Sequence, residues 1–141
     1  HGVTHLFDIR TSPYSRNRPE FDRERLRDSC GRASIRYVFK GRSLGGRPSD
    51  PECYDEEGHV VYERVLTTEF FQQGIEDLVK ATADKRHVIC LMCSESRPSD
   101  CHRSKLVGEA LWSRGYDLCH ITEADEVADQ PSVMKRVLGD Q

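Results

Sequence analysis

Short apolar runs alternate with amphipathic stretches along this chain. Runs of β-branched, aliphatic and aromatic residues predict strands, and they cover residues 3–9, 35–39, 87–92 and 118–121. Helical periodicity or helix-capping residues mark the segments between and after these runs. The predicted helices cover residues 20–30, a segment that starts after Thr67 or Thr68, residues 101–114 and residues 132–138.

The predicted helices carry specific end signals. Glycine follows two of them, Gly31 and Gly115, in the position that favours a left-handed backbone. Ser99 or Asp100 is expected to cap the third helix at its start. In the second helix, apolar residues at 71, 75, 78 and 79 follow the i, i+4, i+7, i+8 spacing of a face that packs on a core.

This order of elements predicts an α/β fold. Strands that alternate with helices form right-handed crossovers, which favours a three-layer, Rossmann-like arrangement of a mostly parallel sheet with helices on both faces. We expect one domain over residues 1–141, with the very apolar run 87–92 as a central strand. In such sheets the ligand crevice lies at the carboxyl ends of the strands.

Residues 40–58 are rich in glycine and proline and poor in apolar residues. A connection of this length without regular structure is uncommon in a compact domain and is often functional. We therefore predict a lid loop, against the alternative of a simple surface excursion. Gly45 and Gly46 in this basic segment are candidates for close approach of the backbone to a phosphate, although a plain turn needs glycine equally.

Composition limits the cellular context. The 141 residues include no apolar run long enough to span a bilayer and no visible signal peptide. Six cysteines in such a chain favour reduced thiols and a cytoplasmic location. Residues 1–47 hold 11 Lys and Arg against 5 Asp and Glu, whereas residues 48–141 hold 10 against 19. This asymmetry favours an anionic partner for the first third, although mixed charge on a solvated helix would look similar.

The first candidate site follows the first strand. Asp8 and Arg10 are two residues apart, so their side chains leave the strand on the same face. They are candidates to orient a substrate or to activate a water, or else they form a structural ion pair that holds the strand end. Ser12, Arg16 and Asn17 in the following loop would extend an anion-binding surface.

The segment from Cys93 to Arg103 is the most informative stretch. A thiol near a helix start is stabilised as thiolate by unpaired backbone N–H groups, which makes Cys93 or Cys101 a candidate nucleophile. Glu95 and His102 are candidate acid–base groups, and Arg103 is a candidate phosphate ligand. The spacing of Cys90, Cys93, Cys101 and His102 does not match usual structural zinc sites, so we predict no metal and no other cofactor.

Several strings resemble one family. They are Asp8-Ile9-Arg10 with Pro13, Ser15 and Phe21, Leu44-Gly45-Gly46, Tyr62 through Phe70, and Cys93-Ser94-Glu95-x-x-Pro98-x-x-Cys101-His102-Arg103. In this order they resemble the family called domain of unknown function 488. The resemblance implies an α/β fold and a suspected enzyme site at the cysteines and their neighbours, and it adds Tyr62 to the expected substrate-binding residues. Family members usually begin with a further strand, loop and helix, and this chain starts near the end of that helix at Gly2. A fainter similarity links the Asp-x-Arg strand end and the Cys93 loop to rhodanese-like domains.

Together these features favour an enzyme that acts on a phosphate-bearing substrate, a nucleotide or a nucleic acid, by hydrolysis of a glycosidic or similar bond. Asp8, Cys93, Glu95, Cys101 and His102 are the candidate catalytic residues. The candidate substrate-binding residues are Arg10, Ser12, Arg16, Asn17, Gly45, Gly46, Tyr62 and Arg103. Two alternatives stay open, a sulfurtransferase with a persulfide on Cys93 and a non-catalytic module that binds nucleic acid such as DNA. No membrane partner is expected, and no oligomeric state is indicated.

Overall fold

The computed structural model describes residues 1–139 as mixed helix and strand, and it confirms the α/β class. The chain divides into two compact units, one over His1–Met92 and one that begins at Cys93. None of the described helices is both long and apolar enough to cross a membrane. The first unit contains β1 (His5–Asp8), α1 (Arg23–Arg32), β2 (Arg36–Phe39), α2 (Gly41–Leu44), α3 (Tyr62–Leu66), α4 (Glu69–Thr82) and β3 (Ile89–Met92). The second contains α5 (Glu109–Ser113), β4 (Cys119–Ile121), β5 (Val127–Asp129) and α6 (Gln130–Gly139).

The sheet of the first unit is parallel and has the strand order β2-β1-β3. Asp8, the last residue of β1, lies opposite Phe39 of β2 and Met92 of β3. The prediction of residues 87–92 as a central strand is wrong, because β1 takes the middle place and β3 pairs on one side only. The burial of the two strands agrees with these positions, because Phe7 and Asp8 of β1 are buried whereas every residue of β3 is half-buried.

The helices of the first unit confirm the apolar stripe. Phe71, Ile75 and Leu78 of α4 are buried, and each fully buried side chain of this kind contributes about 1.5–3 kcal/mol. Thr68 caps α4, since its side chain accepts a hydrogen bond from the Phe71 N–H. The predicted stop at Gly31 is wrong: α1 runs through it to Arg32. The left-handed residue that follows is Ser34, with φ 58°.

Residues 40–58 are not structureless. They contain α2 and a single 3-10 turn, Pro51–Cys53, and an isolated bridge pairs Tyr54 with Val60. Leu44 and Cys53 anchor the segment, with 0% and 1% of their surface exposed. Buried apolar side chains therefore help to hold a segment of low apolar content in place, and its role as a lid stays a prediction.

The second unit differs most from the prediction. Its main helical stretch is preceded by a 3-10 turn, Pro98–Asp100, starts with a π-helical segment, Arg103–Gly108, and continues as α5. Neither Ser99 nor Asp100 is its N-cap; His102 takes that place without a capping side-chain hydrogen bond. The strand predicted at 118–121 does not join the parallel sheet. It forms β4, which pairs antiparallel with β5 in a separate sheet.

Candidate functional site

At the carboxyl end of β1, Asp8 and Arg10 form a buried ion pair. The Arg10 guanidinium donates from Nε to Asp8 Oδ1 at 2.9 Å and from Nη2 to Oδ2 at 2.8 Å. The Arg10 backbone N–H also donates to Oδ1, and the Tyr37 hydroxyl donates to Oδ2 at 2.5 Å. Arg10 Nη2 further donates to the carbonyl of Phe21, just before α1. The pair thus ties the strand end to the segment that leads into α1.

The hydrogen bonds decide the charge state of this pair. Burial disfavours ionisation of Asp8, whose side chain is 0% exposed, but the donors Arg10 and Tyr37 outweigh burial and lower the pKa of Asp8. The Arg10 pKa is raised in turn, because Asp8 outweighs the opposing effect of burial. Burial and the bond to Asp8 raise the Tyr37 pKa. Asp8 is therefore held as a carboxylate that already accepts four hydrogen bonds, which suits a positioning residue better than a general base.

Two glycines let the loop after β1 lie against the segment that follows β2. A Cβ atom at Gly41 would lie closer than 3.0 Å to the Arg10 carbonyl oxygen. One at Gly45 would come equally close to Thr11 Oγ1 and to the carbonyl oxygen of Gly41. Thr11 Oγ1 also accepts a hydrogen bond from the Arg47 N–H at 3.0 Å. Glycine at position 45 is therefore needed for the contact between two segments of the protein itself, and the approach of this backbone to a phosphate stays a prediction.

Several candidate binding residues line these two segments. Ser12, Arg16 and Asn17 are exposed in the loop after β1, and Gly46 is half-buried beside exposed Arg47. Neither Arg16 nor Arg47 forms an ion pair with a carboxylate of the described residues. We call this surface, residues 11–18 together with 45–47, the basic rim.

Tyr62 begins α3 and is half-buried. Burial raises the pKa of its hydroxyl, and the positive charge of Arg47 opposes that effect. The electrostatic influence of Arg47 therefore reaches Tyr62, which supports the grouping of this tyrosine with the basic rim.

The second unit carries the cysteine group. Cys93 is the residue directly after β3, and its sulfur is bonded to that of Cys101 in a disulfide. The prediction of reduced thiols is wrong for this pair, because the 3-10 turn between them returns the chain on itself. Cys30, Cys53 and Cys119 are free thiols within the described residues. Within residues 1–139, no three or more His, Cys, Asp or Glu side chains are grouped so that they could hold a metal ion.

The polar neighbours of the disulfide differ in exposure. Glu95 is exposed, and its backbone N–H donates to Cys93 Sγ at 3.4 Å. His102 and Arg103 are half-buried, and the Arg103 N–H donates to Cys101 Sγ at 3.2 Å. Ser104 holds the turn below them, since its hydroxyl donates to the carbonyls of Pro98 and Cys101.

A cavity of about 350 Å³ lies in the same unit. Arg97 and Ser99 line one part of it, and Thr122, Glu123 and Arg136 line another. Arg97 is within 3.8 Å of Glu123, so one of the two arginines already has a counter-charge. The cavity has mixed polarity, and its lining includes Pro98 and Ser99 of the turn that precedes Cys101.

The candidate residues thus fall into two groups, one in each unit. Sequence reasoning missed Tyr37, the fourth hydrogen-bond donor to Asp8, and did not commit to Arg47. The cue for Arg47 was present as a basic residue beside Gly45 and Gly46. The cue for Tyr37 was not, because it depends on the register that places β2 beside β1.

The first unit has a parallel sheet in which Asp8, at the end of the central strand, is bonded to Arg10 and Tyr37. The second unit carries the Cys93–Cys101 disulfide. The protein is therefore of the α/β class. Comparison with known families makes the assignment specific: the model described as domain of unknown function DUF488 matches residues 1–110, and the chain belongs to that family. No curated protein and no solved structure matches the chain. The resemblance to rhodanese-like domains is not supported by these comparisons. The match includes both candidate groups and ends before β4, β5 and α6.

Proposed function

We propose that this protein is an enzyme that acts on a phosphate-bearing substrate, a nucleotide or a nucleic acid, and that it hydrolyses a glycosidic or similar bond. The observation that carries the proposal is the basic rim at the carboxyl edge of the parallel sheet. Its arginines 16 and 47 are exposed and have no carboxylate partner among the described residues. Ligands of α/β sheets bind at this edge, and guanidinium groups bind phosphate in a bidentate manner.

The residues take different roles in this proposal. Arg16 and Arg47 hold the phosphate, and the exposed side chains of Ser12 and Asn17 supply hydrogen bonds to it. Asp8 and Arg10 position the start of the loop, since their charges already satisfy each other. Tyr62 adds a hydroxyl whose pKa is influenced by the charge of Arg47.

Glu95 is the candidate for proton transfer. Its side chain is exposed and forms no ion pair with the described residues, so the carboxylate is open to a substrate or a water. General acid–base catalysis by a single group contributes about 10²–10⁴-fold to a rate. A cytoplasmic location is part of the proposal, because nucleotides and nucleic acids are abundant there.

Binding is the first test. Fluorescence anisotropy with labelled single-stranded oligonucleotides, and calorimetry with mononucleotides, would compare wild type with Arg47→Ala and Arg16→Ala. Each loss removes a charge-assisted interaction of about 1.5–3 kcal/mol, which corresponds to roughly tenfold or more in Kd. Arg36→Ala is the matched control, because Arg36 is exposed but lies at the start of β2, where the amino ends of the strands are, and not at the carboxyl ends that carry the basic rim. Equal losses for Arg36→Ala and Arg47→Ala would show that charge alone drives binding and would refute the basic rim as a site.

Turnover is the second test. A panel of nucleotides and oligonucleotides is incubated with the protein, and released bases and sugars are separated by chromatography. For a cleaved substrate, Glu95→Gln is expected to lower kcat by about 100-fold or more while Kd stays unchanged. Tight, specific binding without cleavage of any substrate would instead support the non-catalytic binding module.

A further inference from the structure

Each sulfur of the Cys93–Cys101 disulfide has one backbone N–H within hydrogen-bond distance. Cys93 Sγ accepts a hydrogen bond from the Glu95 N–H at 3.4 Å, and Cys101 Sγ accepts one from the Arg103 N–H at 3.2 Å. His102 Nδ1 lies 3.9 Å from Cys101 Sγ. Backbone N–H groups directed at sulfur favour the thiolate, which is both the nucleophile and the leaving group of disulfide exchange.

The free cysteines lie in different surroundings. Cys30 and Cys53 are buried, and burial raises the pKa of both thiols. Cys119 is exposed on β4. The bonded pair differs from these three cysteines, because each of its two sulfurs accepts a hydrogen bond from a backbone N–H.

We propose that Cys93 and Cys101 are a redox-active dithiol–disulfide pair that exchanges two electrons with a low-molecular-weight thiol of the glutathione type. The two sulfurs differ in access. Cys93 is 8% exposed and is followed by four exposed residues, 94–97, whereas Cys101 is 1% exposed. The incoming thiolate therefore attacks Cys93 Sγ.

The exchange balances in two steps. In the first, a deprotonated thiol forms a bond to Cys93 Sγ, the Cys93–Cys101 bond breaks, and Cys101 leaves as a thiolate that keeps the Arg103 N–H bond. In the second, another thiolate attacks the outer sulfur of the mixed disulfide, and Cys93 leaves as a thiolate. Two small thiols become one small disulfide and the protein gains two protons from solvent, so two electrons pass to the protein. The reverse steps use the small disulfide as oxidant.

This inference does not depend on the substrate proposed above, but it uses the cytoplasmic location that is part of that proposal. In a reducing compartment, disulfides are usually transient and catalytic or redox-sensing, which fits exchange with a thiol pool better than a permanent crosslink. Reduction also opens the chain segment of residues 93–101 that the disulfide closes, and that segment carries Glu95 and Arg97.

The test equilibrates the full chain in glutathione buffers with different ratios of thiol to disulfide. Samples are quenched in acid, alkylated and mapped by peptide mass spectrometry. Cys93 and Cys101 are expected to change together, by the mass of two hydrogens before alkylation, and to follow the square of the thiol concentration divided by the disulfide concentration. Cys119→Ser is the matched control and is expected to leave this curve unchanged.

Two serine variants assign the attacked sulfur. Cys101→Ser is expected to collect one glutathione on Cys93, and Cys93→Ser is expected to collect less on Cys101, whose sulfur is more buried. Circular dichroism shows whether each variant folds. If one of them does not fold, the equilibrium curve of the wild type still tests the proposal. A pair that stays bonded at every ratio is a structural crosslink, and a pair that stays reduced or alkylates independently is not a redox couple; either result overturns the proposal.

Discussion

Replacement of Asp8 by asparagine tests whether the Asp8–Arg10 pair is the element that fixes the end of β1. The variant Asp8→Asn keeps the size of the side chain but removes its charge. Arg10 then keeps a guanidinium that is only 4% exposed, without a counter-charge. The amide nitrogen also takes the place of one oxygen, so a donor from Arg10 or Tyr37 loses its acceptor.

The expected loss of stability is large. Removal of one partner from a buried ion pair costs about 3–5 kcal/mol, out of a total free energy of unfolding of about 5–15 kcal/mol. For a chain of this length, the Tm falls by roughly 3 °C for each kcal/mol, so a decrease of about 10–15 °C is expected. Urea unfolding followed by circular dichroism measures the change. Asp28→Asn is the control, because Asp28 is 63% exposed and is expected to matter by less than about 0.5 kcal/mol.

The pH dependence makes the test specific. The folded-state pKa of Asp8 is lowered, so its contribution to stability is fully present above the unfolded-state pKa of about 3.9 and is lost as pH falls towards the folded value. The gap between wild type and Asp8→Asn should therefore be constant from pH 7 to pH 5 and shrink below about pH 4. A gap under about 1 kcal/mol at pH 7, or one that does not narrow in acid, would refute the structural role of the pair.

Two further predictions concern packing and protonation in the two units. Gly45→Ala is expected to lower the free energy of unfolding by about 1–3 kcal/mol, because its Cβ would come closer than 3.0 Å to Thr11 Oγ1. Gly31→Ala is the control: a Cβ there meets nothing within 4 Å, and the change is expected to stabilise the helix by about 0.5–1 kcal/mol. Equal changes of Tm for the two variants would contradict the close approach at Gly45. In the second unit, burial lowers the pKa of His120 despite its bond to Gln130, so stability should fall as pH drops below about 6.5, where the unfolded chain takes up a proton first. An NMR titration of the His120 ring with a midpoint at or above 6.5 would contradict this.

The sequence was a good guide where local patterns decide the outcome. The stripe of α4 and its threonine cap depend on residues within a few positions of each other, and both are confirmed. The apolar run of β3 was also found, but its place in the sheet was not. A strand's neighbours depend on the packing of distant segments, and hydrophobicity alone does not distinguish an edge from a centre when helices cover the sheet.

The candidate sites show the same division. Asp8 and Arg10 were recognisable because they are two residues apart on a strand, and the structural ion pair was among the alternatives. The hydroxyl of Tyr37 arrives from a strand 29 residues away, so no local pattern indicates it. The disulfide was missed for a different reason: reduced thiols were expected because no signal peptide is visible, and that argument takes no account of the turn that brings Cys93 and Cys101 together.

The central position of β1 has a consequence for the order in which the chain folds during synthesis. β1 meets β2 after α1, but the β3 partner of His5 is Ile89, a separation of 84 residues, the same as between Thr4 and Val88. One edge of β1 therefore stays unpaired on the ribosome until most of the first unit has been made. Pairings of such high sequence separation slow folding, and an open strand edge invites association with other chains. A nascent chain stopped before residue 89 therefore carries an unpaired edge of β1 and is expected to associate with other chains more readily than the completed first unit.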